Sequence, residues 1–243
     1  MSLQLSQFTK SLTVETAFTV LAVAKALKAK GKDVVELEIG DSPFDSTASA
    51  KLSGTQAIAN NQSHYCPSPG LPEFRDAAAK FVREEFGIPA EAKNVVVGPG
   101  AKVFEQFFCE AFLDSNDGVL VFSPYFPTYT PNILRRGARA VFKPLKQSNG
   151  FRPAIADIEA FLRDDPKPKA IFLNSPHNPT GGVQTEQDLV EIADLIRGKN
   201  IAVLSDEPYC HMVWKGKHHS LLAQPGMMEQ CVAAYTFSKS YSM

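Results

Sequence analysis

The run Cys231-Val232-Ala233-Ala234-Tyr235-Thr236-Phe237-Ser238-Lys239-Ser240-Tyr241-Ser242-Met243 decides how the rest of the sequence is read. Its apolar start, 231–235, has the length and composition of a buried strand. Directly beyond it, Lys239 stands among the hydroxyls of Thr236, Ser238, Ser240 and Ser242, with aromatic residues between them. A strand thus delivers one amine into a small polar setting. An amine is a nucleophile only when unprotonated, and an ordinary lysine, with a pKa of about 10.4, is almost wholly charged at neutral pH. Storage as a Schiff base to an aldehyde cofactor removes that obstacle, and the hydroxyls of Thr236 and Ser238 suit the cofactor's phosphate. A surface lysine in a serine-rich loop is the competing reading, and the upstream segments decide between the two.

Working back from that run, a strand expected at 201–204 ends in Ser205-Asp206-Glu207-Pro208-Tyr209. A carboxylate at the end of a buried strand costs free energy unless a positive partner offsets its desolvation. A protonated pyridine nitrogen is such a partner; capping the following turn is the simpler role for Asp206. The strand expected at 170–173 runs into Asn174-Ser175-Pro176-His177-Asn178-Pro179-Thr180-Gly181-Gly182. Proline confines the residue before it to extended backbone, so Asn178 holds its amide on a rigid loop. The strand expected at 119–122 ends in the aromatic cluster Ser123-Pro124-Tyr125-Phe126-Pro127-Thr128-Tyr129. There Phe126 or Tyr125 suits the face of a flat ring, and packing on a sheet is the alternative. With a further strand at 140–143 and helices at 154–163 and 187–196, strand and helix alternate. That pattern predicts an α/β fold with a mainly parallel sheet and ligands at the strands' carboxyl ends.

Further upstream, a strand at 95–97, a tight turn Gly98-Pro99-Gly100 and a helix over 101–113 are expected. The free backbone N–H groups opening that helix suit a phosphate. The same layout serves dinucleotides, but Val103 occupies the third glycine position, and no acidic residue ends a second strand at the expected distance of about 20 residues. Tyr65 is displayed on an irregular loop, 64–70, ahead of a helix over 71–86 with Pro72 near its first turn. A helix over 14–30 carries the stripe Ala17, Phe18, Val20, Leu21, Ala24 and Leu27 and stops at Gly31. A strand at 34–39 then breaks at Gly40-Asp41-Ser42-Pro43-Phe44, either a plain turn or a close backbone approach to a ligand.

At 243 residues, 44% apolar and 21% charged, the chain can bury one large core, or one core with an appendage. A formal net charge of -1 with dispersed basic residues argues against nucleic acid or an anionic membrane as partner. Cys66, Cys109, Cys210 and Cys231 form no Cys-x-x-Cys pair and suit neither a zinc site nor a disulfide frame, which makes the cytosol the simplest compartment. His64, His177, His211, His218 and His219 lack the helical spacing of a zinc-ligand pair, so no metal is expected. No run approaches the roughly 18 apolar residues of a membrane span, and residues 1–11 lack the layout of a signal peptide.

Asn178-Pro179-Thr180-Gly181, Asp206-x-x-Tyr209 and Ser238-Lys239, taken in order, resemble the class I/II aminotransferases, pyridoxal-phosphate enzymes of fold type I. The resemblance runs from about residue 34 to the last. It implies a three-layer large domain over 46–243, incomplete at its C-terminus, with a mainly parallel sheet and helices on both faces. Residues 1–45 would then be a helix and strand of an incomplete small domain. By position, Lys239 is the lysine of the internal aldimine and the base that moves a proton between substrate Cα and cofactor C4′. Asp206 pairs with the pyridine nitrogen, Asn178 and the catalytic Tyr209 bond the ring's phenolic oxygen, and Phe126 stacks on the ring. Gly100, Ala101 and Lys102, with Thr236 and Ser238, hold the phosphate. Tyr65 reaches the phosphate of the neighbouring subunit, and Gly40, with Asn178, lies beside the substrate. The implied protein is a cytoplasmic homodimer of amino acid metabolism acting on an amino acid and a 2-oxo acid. Family members continue into a Gly-x-Arg segment and a small domain with a carboxylate-binding arginine, so a chain stopping at Met243 is expected to be a fragment. A lyase or decarboxylase of the same fold would use the same lysine and aspartate. A nucleotide-binding α/β module is the reading from another class.

Overall fold

Five parallel strands frame the larger part of the protein in a computed structural model that describes residues 3–12 and 16–243. Contacts divide the chain into two units, Met1–Asp45 and Ser46–Met243. The first holds α1 (Gln7–Ser11), capped by the Ser6 side chain, and α2 (Thr16–Ala29). The helix start expected at Val14 lies outside the described residues. Residues 34–39 do not form the expected strand. Val35 is 80% and Leu37 88% exposed, and no ladder forms along the segment. Alternating apolar residues supply a local preference, but a strand persists only where cross-strand pairs reward it.

The second unit begins with α3 (Ala48–Ala59), capped by Thr47, and α4 (Pro72–Phe86), which has proline in its first turn and ends at Gly87. Then come α5 (Lys102–Phe112), β1 (Gly118–Ser123), α6 (Tyr129–Arg135), β2 (Arg139–Pro144) and α7 (Ile155–Asp164). They are followed by β3 (Pro168–Asn174), α8 (Glu186–Ile196), β4 (Ala202–Asp206) and β5 (Cys231–Ala234). The strands lie in the order β2-β1-β3-β4-β5, so the winding reverses between β1 and β3. In open parallel sheets ligands bind beyond the carboxyl ends at such a point. No helix among the described residues is long and apolar enough to cross a membrane.

Alternate residues of each strand serve opposite faces. Leu120, Phe122, Ile171, Leu173 and Val203 cluster with Ile158 and Phe161 of α7 and Leu189, Ile192 and Ile196 of α8. Val119, Val121, Ala170, Phe172 and Leu204 cluster with Phe108 and Cys109 of α5 and Tyr129 and Ile133 of α6. Each Val, Leu, Ile or Phe side chain among these, fully buried, contributes about 1.5–3 kcal/mol. Cover on both faces is why these strands read as continuous apolar runs. Residues 95–97 are extended but stay outside the sheet, the Val97 N–H bonding the Pro69 carbonyl at 3.0 Å. The strand expected there is absent, and with it the strand-turn-helix layout a dinucleotide requires.

Two ladders end together. Asn174 pairs with Asp206 and Asp206 with Ala234, a row of three residues across the carboxyl edge of β3, β4 and β5.

Candidate active site

Asp206, in the middle of that row, is 5% exposed, and the Tyr129 hydroxyl donates to its Oδ2 at 2.6 Å. The turn-capping role is not the one it takes. Burial pushes its carboxyl up to about 6, against the Tyr129 hydrogen bond, and the neighbouring Glu207 charge adds to the rise. Among the described residues that hydroxyl is its side chain's one hydrogen-bond donor, so a buried carboxylate stands without a cation. Tyr129 opens α6 and is held edge-on by Phe126 and Phe172, with centroids 5.9 and 5.2 Å away. Its own hydroxyl is pushed well above its ordinary value, by burial first and then by Asp206.

The loop after β3 is fastened to the end of β4 by one side chain. Asn174 donates from Nδ2 to the Asp206 carbonyl at 2.8 Å, and its Oδ1 accepts the Asn178 N–H at 2.7 Å. The loop also closes on itself, the His177 N–H bonding Gly182 O and the Gly181 N–H bonding His177 O, both at 2.8 Å. A Cβ on Gly182 would lie 2.7 Å from the carbonyl oxygens of Gly150 and Phe151, so only glycine fits that approach. Burial lowers His177 to about 4, opposed by a backbone contact with Pro124, and its neutral ring pairs with Thr180 at 2.8 Å.

So fixed, Asn178 donates from Nδ2 to the Tyr209 hydroxyl at 3.3 Å, and the Lys239 Nζ lies 5.6 Å from the centre of the Tyr209 ring. Burial raises the Tyr209 hydroxyl, Asp206 adds to the rise, and Asn178 opposes it. Loops from three strand ends therefore meet. On the β1 side, Lys102 places its Nζ 5.2 Å over the Phe126 ring. Tyr125 stacks on Phe142 of β2 at 5.2 Å, and both Tyr125 and Phe126 also pack against the apolar cluster beneath α5 and α6. Gly100, at φ +84°, turns the chain into α5, whose N-cap Ala101 supplies no capping side chain. The first N–H groups of that helix are thereby left for a ligand. Thr236 and Ser238 bond each other through their hydroxyls at 2.9 Å.

Tyr65, expected to serve a neighbouring subunit, is wholly exposed on the loop between α3 and α4, and Gly40 belongs to the first unit. Two residues that the sequence did not single out are in the site, Tyr129 and Asn174. A signal for the first existed, since a buried tyrosine needs a partner for its hydroxyl.

Glu105, one turn into α5, is 1% exposed and accepts from the Thr128 hydroxyl and, at 3.4 Å, from Asn132. Burial raises its carboxyl to about 8, with Thr128 opposing and the Asp206 charge adding. The folded chain therefore holds this proton where the unfolded chain, at its ordinary 4.5, has released it. The stabilising contribution is complete below 4.5 and is lost as pH rises to about 8, by up to a few kcal/mol. Glu105→Gln is expected to flatten the fall in melting temperature between about pH 5 and pH 8. Equal slopes in the variant and the natural protein would remove Glu105 as the titrating group.

Residues 32–243 match the family described as aminotransferase class I and II. The chain is 35% identical over 214 residues to an aspartate aminotransferase of Pyrococcus abyssi, covering 87% of this chain and 54% of that protein. It is 35% identical over 230 residues to a probable aspartate/prephenate aminotransferase of Aquifex aeolicus, 93% of this chain and 57% of the relative. Among solved structures, the aspartate aminotransferase of Thermus thermophilus with maleate superposes with a TM-score of 0.91 at 29% identity, over all of this chain and 62% of the other. The chain thus spans little more than half the length of such curated relatives.

Proposed function

The chain belongs to the class I and II aminotransferases, and on that premise we propose that it is part of an enzyme moving an amino group between an amino acid and a 2-oxo acid. Members of the family depend on pyridoxal phosphate. The residues present fit that group: a buried carboxylate without a cation among the described residues, an amine just past a strand end, and a helix start without a capping side chain. When bound, it supplies a carbon to which an amine can attach and a protonated pyridine ring that accepts the electron pair left by a departing Cα proton.

The chain's own residues do the rest. Asp206 holds the proton at the pyridine nitrogen, because a buried carboxylate of raised pKa gains most from a cation at its open side. Asn178 and Tyr209 direct their donors at the phenolic oxygen, Phe126 covers one face of the ring, and Tyr129 keeps Asp206 in place. The N–H groups at Ala101 and Lys102, presented by the turn at Gly100, with the hydroxyls of Thr236 and Ser238, receive the phosphate. Lys239 would provide the attaching amine and would act as the base that moves a proton at the substrate Cα. Gly40, with Asn178, lies beside the substrate carboxylate. The protein works as a cytoplasmic homodimer in which Tyr65 serves the neighbouring subunit; its full exposure supports a partner at that loop.

One observation carries this reading: the loops after β3, β4 and β5 bring Asn178, Tyr209 and Lys239 into a connected group beside Asp206. Incubation with pyridoxal phosphate, borohydride reduction and peptide mapping tests it. The adduct is expected on Lys239; an adduct on Lys102 or Lys215, or on no lysine, overturns the assignment.

A further inference from the structure

The residue after Asp206 is also an acid, is 1% exposed, and has no part in the site described above. Four donors converge on its carboxylate. Glu207 Oε1 accepts from the hydroxyls of Ser205 at 2.7 Å and Ser220 at 2.8 Å. Its Oε2 pairs with His218 Nε2 at 2.8 Å and accepts from the Tyr235 hydroxyl at 2.6 Å. That is the full acceptor complement of an ionised carboxylate. A buried charge so completely satisfied makes a rigid, specific junction, whereas an apolar cluster of similar volume would give equal or greater stability.

The junction lies where the site needs registration. The Glu207 N–H bonds the Ala234 carbonyl at 2.9 Å, closing the last rung of the β4–β5 ladder, the Asp206–Ala234 pair. The next residue of β5's exit, Tyr235, is gripped by the Glu207 carboxylate, while its ring stacks on Phe86 at 5.9 Å and an interplanar angle of 6°. Phe86 meets His218 edge-on at 5.0 Å, which closes the cluster. Beyond Tyr235, the hydrogen bonds of Thr236 and Ser238 are to each other, and the Phe237 carbonyl takes the N–H groups of Tyr241 and Met243. Tyr235 is thus the last side chain before Lys239 that is anchored by hydrogen bonds in the interior.

We propose that Glu207 is a positioning residue for Lys239: by holding the Tyr235 hydroxyl it fixes the direction in which the chain leaves β5, and so the place of the amine relative to Asp206 and Tyr209. The proposal rests on the reading of Lys239 as the reacting amine. A reacting group misplaced by about 1 Å loses on the order of 10²-fold in rate, so a modest loosening of this exit is felt at the amine.

The test uses Tyr235→Phe, which removes one oxygen and keeps the ring, and Glu207→Gln, both in the native full-length protein. In the cofactor-free state, amide hydrogen exchange over residues 236–241 is expected to quicken at least about tenfold in both variants, while exchange in β1 and β3 stays within about twofold. With cofactor and substrates present, kcat is expected to fall by about tenfold or more with KM for the amino donor nearly unchanged. Unchanged exchange over 236–241 in Tyr235→Phe overturns the proposal. Quickening spread evenly through the sheet does so too, since the cluster would then be ordinary core. If Glu207→Gln does not fold, Tyr235→Phe alone decides. Local quickening in a protein that attaches pyridoxal phosphate to no lysine would leave the anchoring standing and sink the reading of Lys239 instead.

Discussion

Lys239→Ala in the native full-length protein is expected to slow transamination by about 10⁴-fold, the upper end of the range lost when a positioned acid–base group is removed. Two duties end at once in this variant. On the proposed reading, the amine that would attach the cofactor is gone, and with it the group that would carry a proton from the substrate Cα. Its side chain is half-buried beside the Tyr209 ring, 5.6 Å from the ring centre, and outside the apolar core clusters. Melting temperature should therefore stay close to that of the natural protein while the half-reaction, followed in single turnover, all but stops. A fall below tenfold would show that another group performs the proton transfer.

Asp206→Asn is expected to separate stability from activity in opposite directions. The asparagine keeps an oxygen for the Tyr129 hydroxyl but removes a buried charge whose pKa is raised to about 6. In the cofactor-free protein near neutral pH, relief of that burial should raise stability by about 1–3 kcal/mol. The advantage shrinks as pH falls through about 6, because the natural carboxyl then takes up its proton. With cofactor bound, the pyridine nitrogen would lose the anionic partner proposed for it. Loss of one member of a buried pair costs about 3–5 kcal/mol, so Cα proton loss should slow by roughly 10²- to 10⁴-fold while covalent attachment at Lys239 persists. An unchanged rate of proton loss would take Asp206 out of the mechanism.

The elements most legible in the sequence were those whose evidence is local. The strands β1, β3 and β4 are buried on both faces and therefore appear as continuous apolar runs, and α8 carries its apolar stripe and capping box within one short segment. Residues 34–39 and 95–97 carry equally good local signals but gain no ladder, and pairing depends on distant residues that composition does not reveal. The helix α3 escaped notice because its small and polar residues bury nothing, leaving no stripe to read. Of the candidate site, Asp206 could be read as the last residue of a strand, and Asn178, Tyr209 and Lys239 as residues of the loops beyond strand ends. Tyr129 was hidden in a cluster of three aromatics, where only the start of the short, proline-containing α6 decides which ring turns inward. The Glu207 junction was less visible still, since its donors Ser205, Ser220, His218 and Tyr235 come from three segments of the chain.

The shared last rungs of β3, β4 and β5 set where this protein can tolerate changes in chain length. One residue inserted in β4 or β5 would turn every following side chain to the opposite face and advance the strand end by about 3.3 Å, carrying Asp206 or Lys239 off its mark. The same insertion in a loop at the amino edge of the sheet would be absorbed before the first rung and leave the row undisturbed. Descendants of this sequence should therefore accumulate insertions and deletions along the amino edge, and substitutions rather than length changes within the strands that carry the site.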